Sequence, residues 1–156
     1  MKVIYRLATV RDAEAIAKLE QECFSAHPWS EEELTESLLK YNYRFFVAAE
    51  VDENGEETGN IPGYVGMYIV AAEGNITNVA VTAPARRQGV GRGLMNALCD
   101  YSKKSDCIAL TLEVRVSNAP AKKLYQSLGF EIAGVRKNFY SDPVEDAEIM
   151  WLHFAV

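Results

Sequence analysis

The spacing of apolar positions changes several times along the chain, and each change marks an element. Val3 to Leu7 is a short apolar run, enough for one strand. Thr9 with Asp12 three residues later forms a capping box with Asp in place of Glu. Ile16, Leu19 and Cys23 then recur at helical spacing, so a helix is predicted over 10–23. Ser30 with Glu33 repeats the capping pattern and opens a helix to about Lys40. The six residues from Phe24 to Trp29 between these helices read as a loop bearing aromatic side chains. Arg44 to Val51 predicts a strand, the polar run from Asp52 to Asn60 a hairpin loop, and Ile61 to Ala72 a long strand. A further strand runs from Asn75 to Val81 and is stopped by Pro84.

Past residue 85 the period alternates again. Val90, Leu94, Leu98 and Tyr101 predict a helix with Lys103 and Lys104 at its C-terminal end, where the helix dipole favours cations. Cys107 to Val116 is rich in β-formers. Asn118 is a good N-cap, Pro120 is tolerated in the first turn, and Ala121, Leu124 and Leu128 make the apolar stripe before Gly129. Phe130 to Val135 and Ala147 to Phe154 close the pattern with two strands. The order β-α-α-β-β-β-α-β-α-β-β predicts an α/β fold with one mixed sheet. At 156 residues, 1–156 is expected to be a single domain.

Composition narrows the function classes. The net charge of −6 argues against a nucleic-acid partner held by bulk positive charge. The charge is uneven, however. Residues 86–137 carry ten Lys and Arg against four acids, whereas residues 1–85 carry six against fourteen. A basic middle between acidic ends suits a small anionic ligand with a cationic partner nearby. Three cysteines, Cys23, Cys99 and Cys107, give neither an even count nor a CxxC spacing, so no disulfide framework or metal site is expected. The charged N-terminus lacks the apolar core of a secretory signal, and no run of 18 apolar residues could span a membrane. A cytoplasmic protein, monomeric or weakly homo-oligomeric, with no nucleic-acid or membrane partner is the expectation.

The chemistry concentrates in residues 86–93, RRQGVGRG, which follow a strand and open a helix. Glycines allow close backbone approach, and free N–H groups at a helix N-terminus favour an anion. A Walker loop would need Gly-Lys-Ser/Thr, and a dinucleotide fingerprint would need glycine where Leu94 stands, so neither common nucleotide site fits. An anion site and a tight turn with surface arginines both remain compatible with the motif alone. Arg86-x-x-Gly89-x-Gly91, after the strand ending Asn78-Val-Ala-Val81, resembles the acetyl-CoA signature of the GNAT N-acetyltransferases. His27-Pro-Trp-Ser30, Leu112-Glu-Val-Arg115, Ser117-Asn118, Leu124-Tyr125, Leu128-Gly-Phe130, Arg136-Lys-Asn-Phe-Tyr140 and Glu145-Asp146 to Met150 resemble, in order, its RimI subfamily of ribosomal-protein-alanine N-acetyltransferases.

That resemblance implies a GNAT-type domain with a mixed sheet of six to seven strands, four helices, and splayed parallel strands that form the acetyl-CoA cleft. It implies cofactor contacts from the backbone of Val79, Ala80 and Val81, with a bulge there, from Arg87, Gln88, Gly89, Val90, Gly91 and Arg92, and from Asn118, which reads equally as a helix cap. By position Glu113 is the family's proton acceptor and Tyr125 its proton donor. Strand alternation also fits a solvated Glu113, and helical spacing also fits a core-edge Tyr125. Trp29 and Tyr140 are expected to wall the substrate side, although Trp29 could equally plug the core. His27 and His153 read as surface residues. The implied reaction moves acetyl from acetyl-CoA, without a metal, to the N-terminal α-amine of a peptide such as a small-subunit ribosomal protein. Acetylation of a lysine, polyamine or small-molecule amine, a CoA-binding module without catalysis, and a generic nucleotide-phosphate binder are the alternatives.

Overall fold

The computed structural model describes residues 1–24 and 26–154. Its elements are β1 (Val3–Leu7), α1 (Ala13–Cys23), α2 (Glu31–Leu38), β2 (Tyr43–Glu50), β3 (Gly63–Val70), β4 (Glu73–Val81), α3 (Val90–Lys104), β5 (Ala109–Arg115), α4 (Ala119–Ser127), β6 (Glu131–Tyr140) and β7 (Glu145–His153). The strands form one sheet in the order β1-β2-β3-β4-β5-β7-β6, antiparallel except for the parallel pair β4–β5. Both capping boxes form: Thr9 and Asp12 satisfy each other's backbone N–H at a short 3-10 turn ahead of α1, and Ser30 and Glu33 do so at α2.

Strand alternation on β2 divides the core in two. Phe46 and Ala48 face α3, where Leu94, Met95 and Leu98 pack with Met67, Ile76, Leu110 and Leu112. Phe45, Val47 and Ala49 face the other way, where Ile16 and Leu19 of α1 and Leu34 of α2 pack with Tyr64 and Ala80. A sheet with helices on both faces fixes its register firmly, since a one-residue slip would send each set to the wrong side.

Two regions differ from the pattern reading. The strand expected over 61–72 is shorter, because Ala71 and Ala72 both adopt left-handed φ (52° and 64°) and form the β3–β4 turn. Such a turn favours Asn-Gly, so an Ala-Ala pair gives no local signal. The last hairpin is longer than predicted: β6 extends to Tyr140 and β7 starts at Glu145. Most of β6 is exposed, so its apolar alternation is weak beyond Val135.

The acidic hairpin of residues 52–60 is tied to the β1 edge. Arg6 donates to both oxygens of Asp12 (2.9 Å each) and both of Glu57 (2.8 and 2.9 Å). Glu50 accepts from Thr58 Oγ1 at 3.0 Å. Part of the negative charge that the sequence suggests for an incoming cation is therefore satisfied internally. Burial pushes the Asp12 carboxyl up, but the Arg6 hydrogen bonds, the hydrogen bonds from Thr9 and the Arg6 charge together outweigh it and hold Asp12 below the usual carboxylate range. Arg6 holds Glu57 down as well. A carboxyl depressed in the folded state stabilises the fold above its unfolded pKa and loses that contribution as pH falls, here below about 4. Arg6→Met should thus lose about 2 kcal/mol at pH 7 and show a shallower further loss toward pH 3 than the native chain. Urea melts at the two pH values check this.

Candidate active site

β4 and β5 pair only where Glu73, Gly74 and Asn75 meet Ala109, Leu110 and Thr111. Beyond Asn75 the two strands separate, and among the described residues the edge of β4 facing β5 has no strand partner. A cleft of about 720 Å³ opens there. Its walls are Val79, Ala80 and Val81 of β4, Arg86, Arg87, Gly89, Val90, Gly91 and Arg92 of the turn into α3, Asn118, Pro120, Ala121, Leu124 and Tyr125 of α4 and its cap, and Cys23 and Phe24 at the end of α1.

β4 carries a bulge before this stretch. Gly66 of β3 pairs with Asn78 while Met67 pairs with Ile76, which leaves Thr77 as the extra residue, its hydroxyl donating to Gly66 O at 3.2 Å. The bulge reverses the facing of the strand. Ile76 packs in the α3 core, yet Asn78 and Ala80 turn toward α1 and Val79 and Val81 toward α3. It therefore lies two residues ahead of the Val79–Val81 segment where the resemblance implied it. No residue type at 77 distinguishes a bulge from regular strand, so the sequence carries no sign of its position.

The turn into α3 is built for close approach. Arg87 and Gly89 adopt left-handed φ (64° and 81°), and Gly89 caps α3. The helix's first backbone bond runs from Gly93 N–H to Gly89 O at 2.9 Å, so the N–H groups of Val90, Gly91 and Arg92 lie free at the mouth of the cleft. Arg86 is fixed by its Nε donating to Val81 O at 3.0 Å. Gln88 is the one residue of this set not on the cleft wall: its side-chain amide donates to Pro84 O at 2.8 Å. The Asn118 Oδ1 accepts from Ala121 N–H as a helix cap (3.2 Å), and the residue also lines the cleft.

Tyr125 is buried on the α3 side of the sheet, its ring 6.0 Å from that of Phe130. Burial pushes its phenol up to about 12. Glu113 stands on the opposite face of β5, away from the helix-covered Leu112 and Val114, and pairs with Arg136 at 3.4 Å. Tyr140 is its neighbour. Burial, with the Glu113 charge pushing the same way, raises the Tyr140 phenol to about 12, and the Arg115 guanidinium lies 4.4 Å from the centre of its ring. Arg115 also donates to Pro143 O (2.9 Å), Ser141 O (3.1 Å) and Glu145 (3.2 Å), which fixes the β6–β7 turn. Trp29 does not line the cleft; it packs 6.2 Å from the Phe45 ring in the α1-side core.

Pattern reasoning missed Glu20. It is 1% exposed and accepts from Tyr64 OH (2.5 Å), Asn78 Nδ2 (2.8 Å) and Trp29 N–H (3.0 Å). Burial, with Glu20 alongside, pushes the Tyr64 phenol well above its ordinary value. The available signal was its place four residues after Ile16, on the apolar stripe of α1, where a charged residue is out of pattern.

A splayed parallel strand pair beside a glycine-rich helix start makes a cleft suited to an extended, anionic ligand. The chain belongs to the acetyltransferase (GNAT) family, whose model matches residues 13–130, and with that membership it is an N-acetyltransferase. It is 36% identical over 154 residues to the ribosomal protein bS18-alanine N-acetyltransferase of Escherichia coli (strain K12), covering 97% of each chain. The crystal structure of the ribosomal-protein-S18-alanine N-acetyltransferase from Escherichia coli superposes with a TM-score of 0.85 at 33% identity, over 99% of this chain and 96% of that one. At 18% identity, Arabidopsis thaliana NAA60 in complex with acetyl-CoA shares the fold alone, with a TM-score of 0.84 over 97% and 98% of the two chains.

Proposed function

We propose that this chain acetylates the N-terminal α-amine of a protein, of the ribosomal-protein alanine type, using acetyl-CoA as donor. The observation that carries the reading is the open edge of β4 at Val79–Val81, which leads directly to the free N–H groups and arginines at the start of α3. An extended pantetheine arm can pair with such an edge as an added strand would, and a diphosphate suits a helix N-terminus flanked by Arg86, Arg87 and Arg92. Asn118 is available on the facing wall. The reaction belongs to the cytoplasm if the acceptor is a ribosomal protein.

In this reading donor and acceptor meet through the gap between β4 and β5, and the amine attacks the thioester directly. A free α-amine has a pKa near 7.7–8.0, so its ammonium form must lose a proton before attack. Glu113 receives that proton, directly or through one water. A backbone N–H of β4 past the Thr77 bulge supports the oxygen of the tetrahedral species. Tyr125 keeps its proton at any working pH. Complete transfer from a phenol near 12 to a thiolate of pKa about 8.5 is uphill. Its first contribution is thus a hydrogen bond that strengthens as charge builds on sulfur. Tyr140, held by Arg115 beside Glu113, walls the acceptor side. Steady-state turnover on a panel of alanine-initiated peptides, lysine peptides, polyamines and small amines tests the proposal. Preference for the peptides is expected, and activity confined to small amines would overturn it.

A further inference from the structure

The proton acceptor of this reading already has a partner. Arg136 Nε stands 3.4 Å from Glu113 Oε1, and the two residues lie on strands that do not touch, with β7 between them. Across the sheet Glu113 is level with Ile149 and Gly134, while Arg136 is level with Ala147 and Arg115. The guanidinium therefore reaches Glu113 diagonally over β7, past the small Ala147 side chain. The contact is looser than a charge-assisted hydrogen bond of about 2.7–2.9 Å. The Arg136 side chain is 57% exposed and stands on the edge strand where regular pairing to β7 ends. Its guanidinium also lies 6.0 Å from the centre of the Phe139 ring. The other charges on this face are engaged or distant. Arg115 is held by Ser141 O, Pro143 O and Glu145 and lies against the Tyr140 ring. Glu131 and His153 stand further along the face, beside Trp151.

We propose that Arg136 is the exchangeable counter-ion of Glu113, balancing the carboxylate until the acceptor's ammonium arrives and then giving way to it. The proposal rests on the reading of Glu113 as the base. An α-amine of pKa about 7.7–8.0 arrives mostly charged at pH 7. Two cations crowded onto one carboxylate repel each other, so acceptor binding breaks the Arg136 pair. The proton then passes from the ammonium nitrogen to Glu113, and Arg136 takes no part in that transfer. An exposed, solvent-screened pair is weak enough to be broken in every cycle. The Phe139 ring offers the departing guanidinium a second resting place. On this account the pair subtracts from acceptor affinity and leaves donor affinity alone.

Arg136→Gln is therefore expected to lower KM for an alanine-initiated peptide about threefold to fivefold at pH 7, while KM for acetyl-CoA holds. Lost packing or partial unfolding raises KM, so a fall is a result that a merely structural role does not give. At about pH 9.5 the amine is neutral and has no need to displace a cation, so variant and native KM should coincide. Arg136→Lys keeps the charge and should keep the native KM at both pH values. An unchanged or raised peptide KM in Arg136→Gln at pH 7, the same fall at high pH, or an Arg136→Lys variant that behaves like Arg136→Gln would overturn the proposal. If the native protein acetylates only small amines, the peptide reading fails. The KM comparison is then made with such an amine, which also arrives as an ammonium, and it still decides the role of Arg136.

Discussion

Glu113→Gln lowers kcat for peptide acetylation by about 100-fold or more, with KM for acetyl-CoA and the unfolding midpoint close to native. Removal of a positioned general base costs roughly 10²–10⁴ in rate. The fold should not register the change, since β5 is held by backbone pairing to β7 across Glu113 and Ile149 and by Leu112 and Val114 on the covered face. What is lost besides the base is an ion pair with a half-exposed Arg136, worth little. The pH profile separates a base from a mere contact. Without Glu113 the amine must shed its proton to solvent, so the variant's rate should climb through the amine pKa of about 8 and narrow the deficit at high pH. A constant deficit at every pH would assign Glu113 to binding rather than proton transfer.

Gly91→Glu raises KM for acetyl-CoA about 100-fold or more and leaves the fold as stable as before. A Cβ at Gly91 would meet only Leu124 Cδ2 at 3.6 Å and Val81 Cγ2 at 3.9 Å, both ordinary contacts. An acidic residue in the first turn of α3, which has none, also favours the helix dipole by about 0.3–1 kcal/mol. The same carboxylate stands in the cleft where the diphosphate is expected, and like-charge opposition there costs several kcal/mol. Binding and stability should therefore move apart, as calorimetric titration with CoA and a thermal melt would show. A variant that binds CoA normally would remove the diphosphate from the α3 terminus.

Local chemistry made some elements plain in the sequence and left others hidden. The two capping boxes, the Asn118 cap and the Gly89 turn act through neighbours a few residues apart, so the helix starts were readable. The alternating faces of β5 were readable for the same reason. The Ala71–Ala72 turn was not, because its left-handed backbone is imposed by the strands on either side rather than by residue preference. The outer half of β6 was missed because an exposed edge strand needs no apolar alternation. In the site, the glycine turn and arginines were compatible with an anion site and with a bare tight turn alike, and the parting of β4 from β5 is a property of pairing that no single strand encodes. Glu20 shows the same limit. Its partners Trp29, Tyr64 and Asn78 come from three distant segments, and only the fold gathers them.

The most direct measurement places the acetyl group. A peptide with a free N-terminal alanine and an internal lysine is incubated with the protein and acetyl-CoA, and fragment masses locate the modification. The account predicts acetyl on the alanine α-amine, no product when that amine is blocked, and the same position, formed far more slowly, with Glu113→Gln. Acetyl on the lysine, or undiminished product from the blocked peptide, would contradict it.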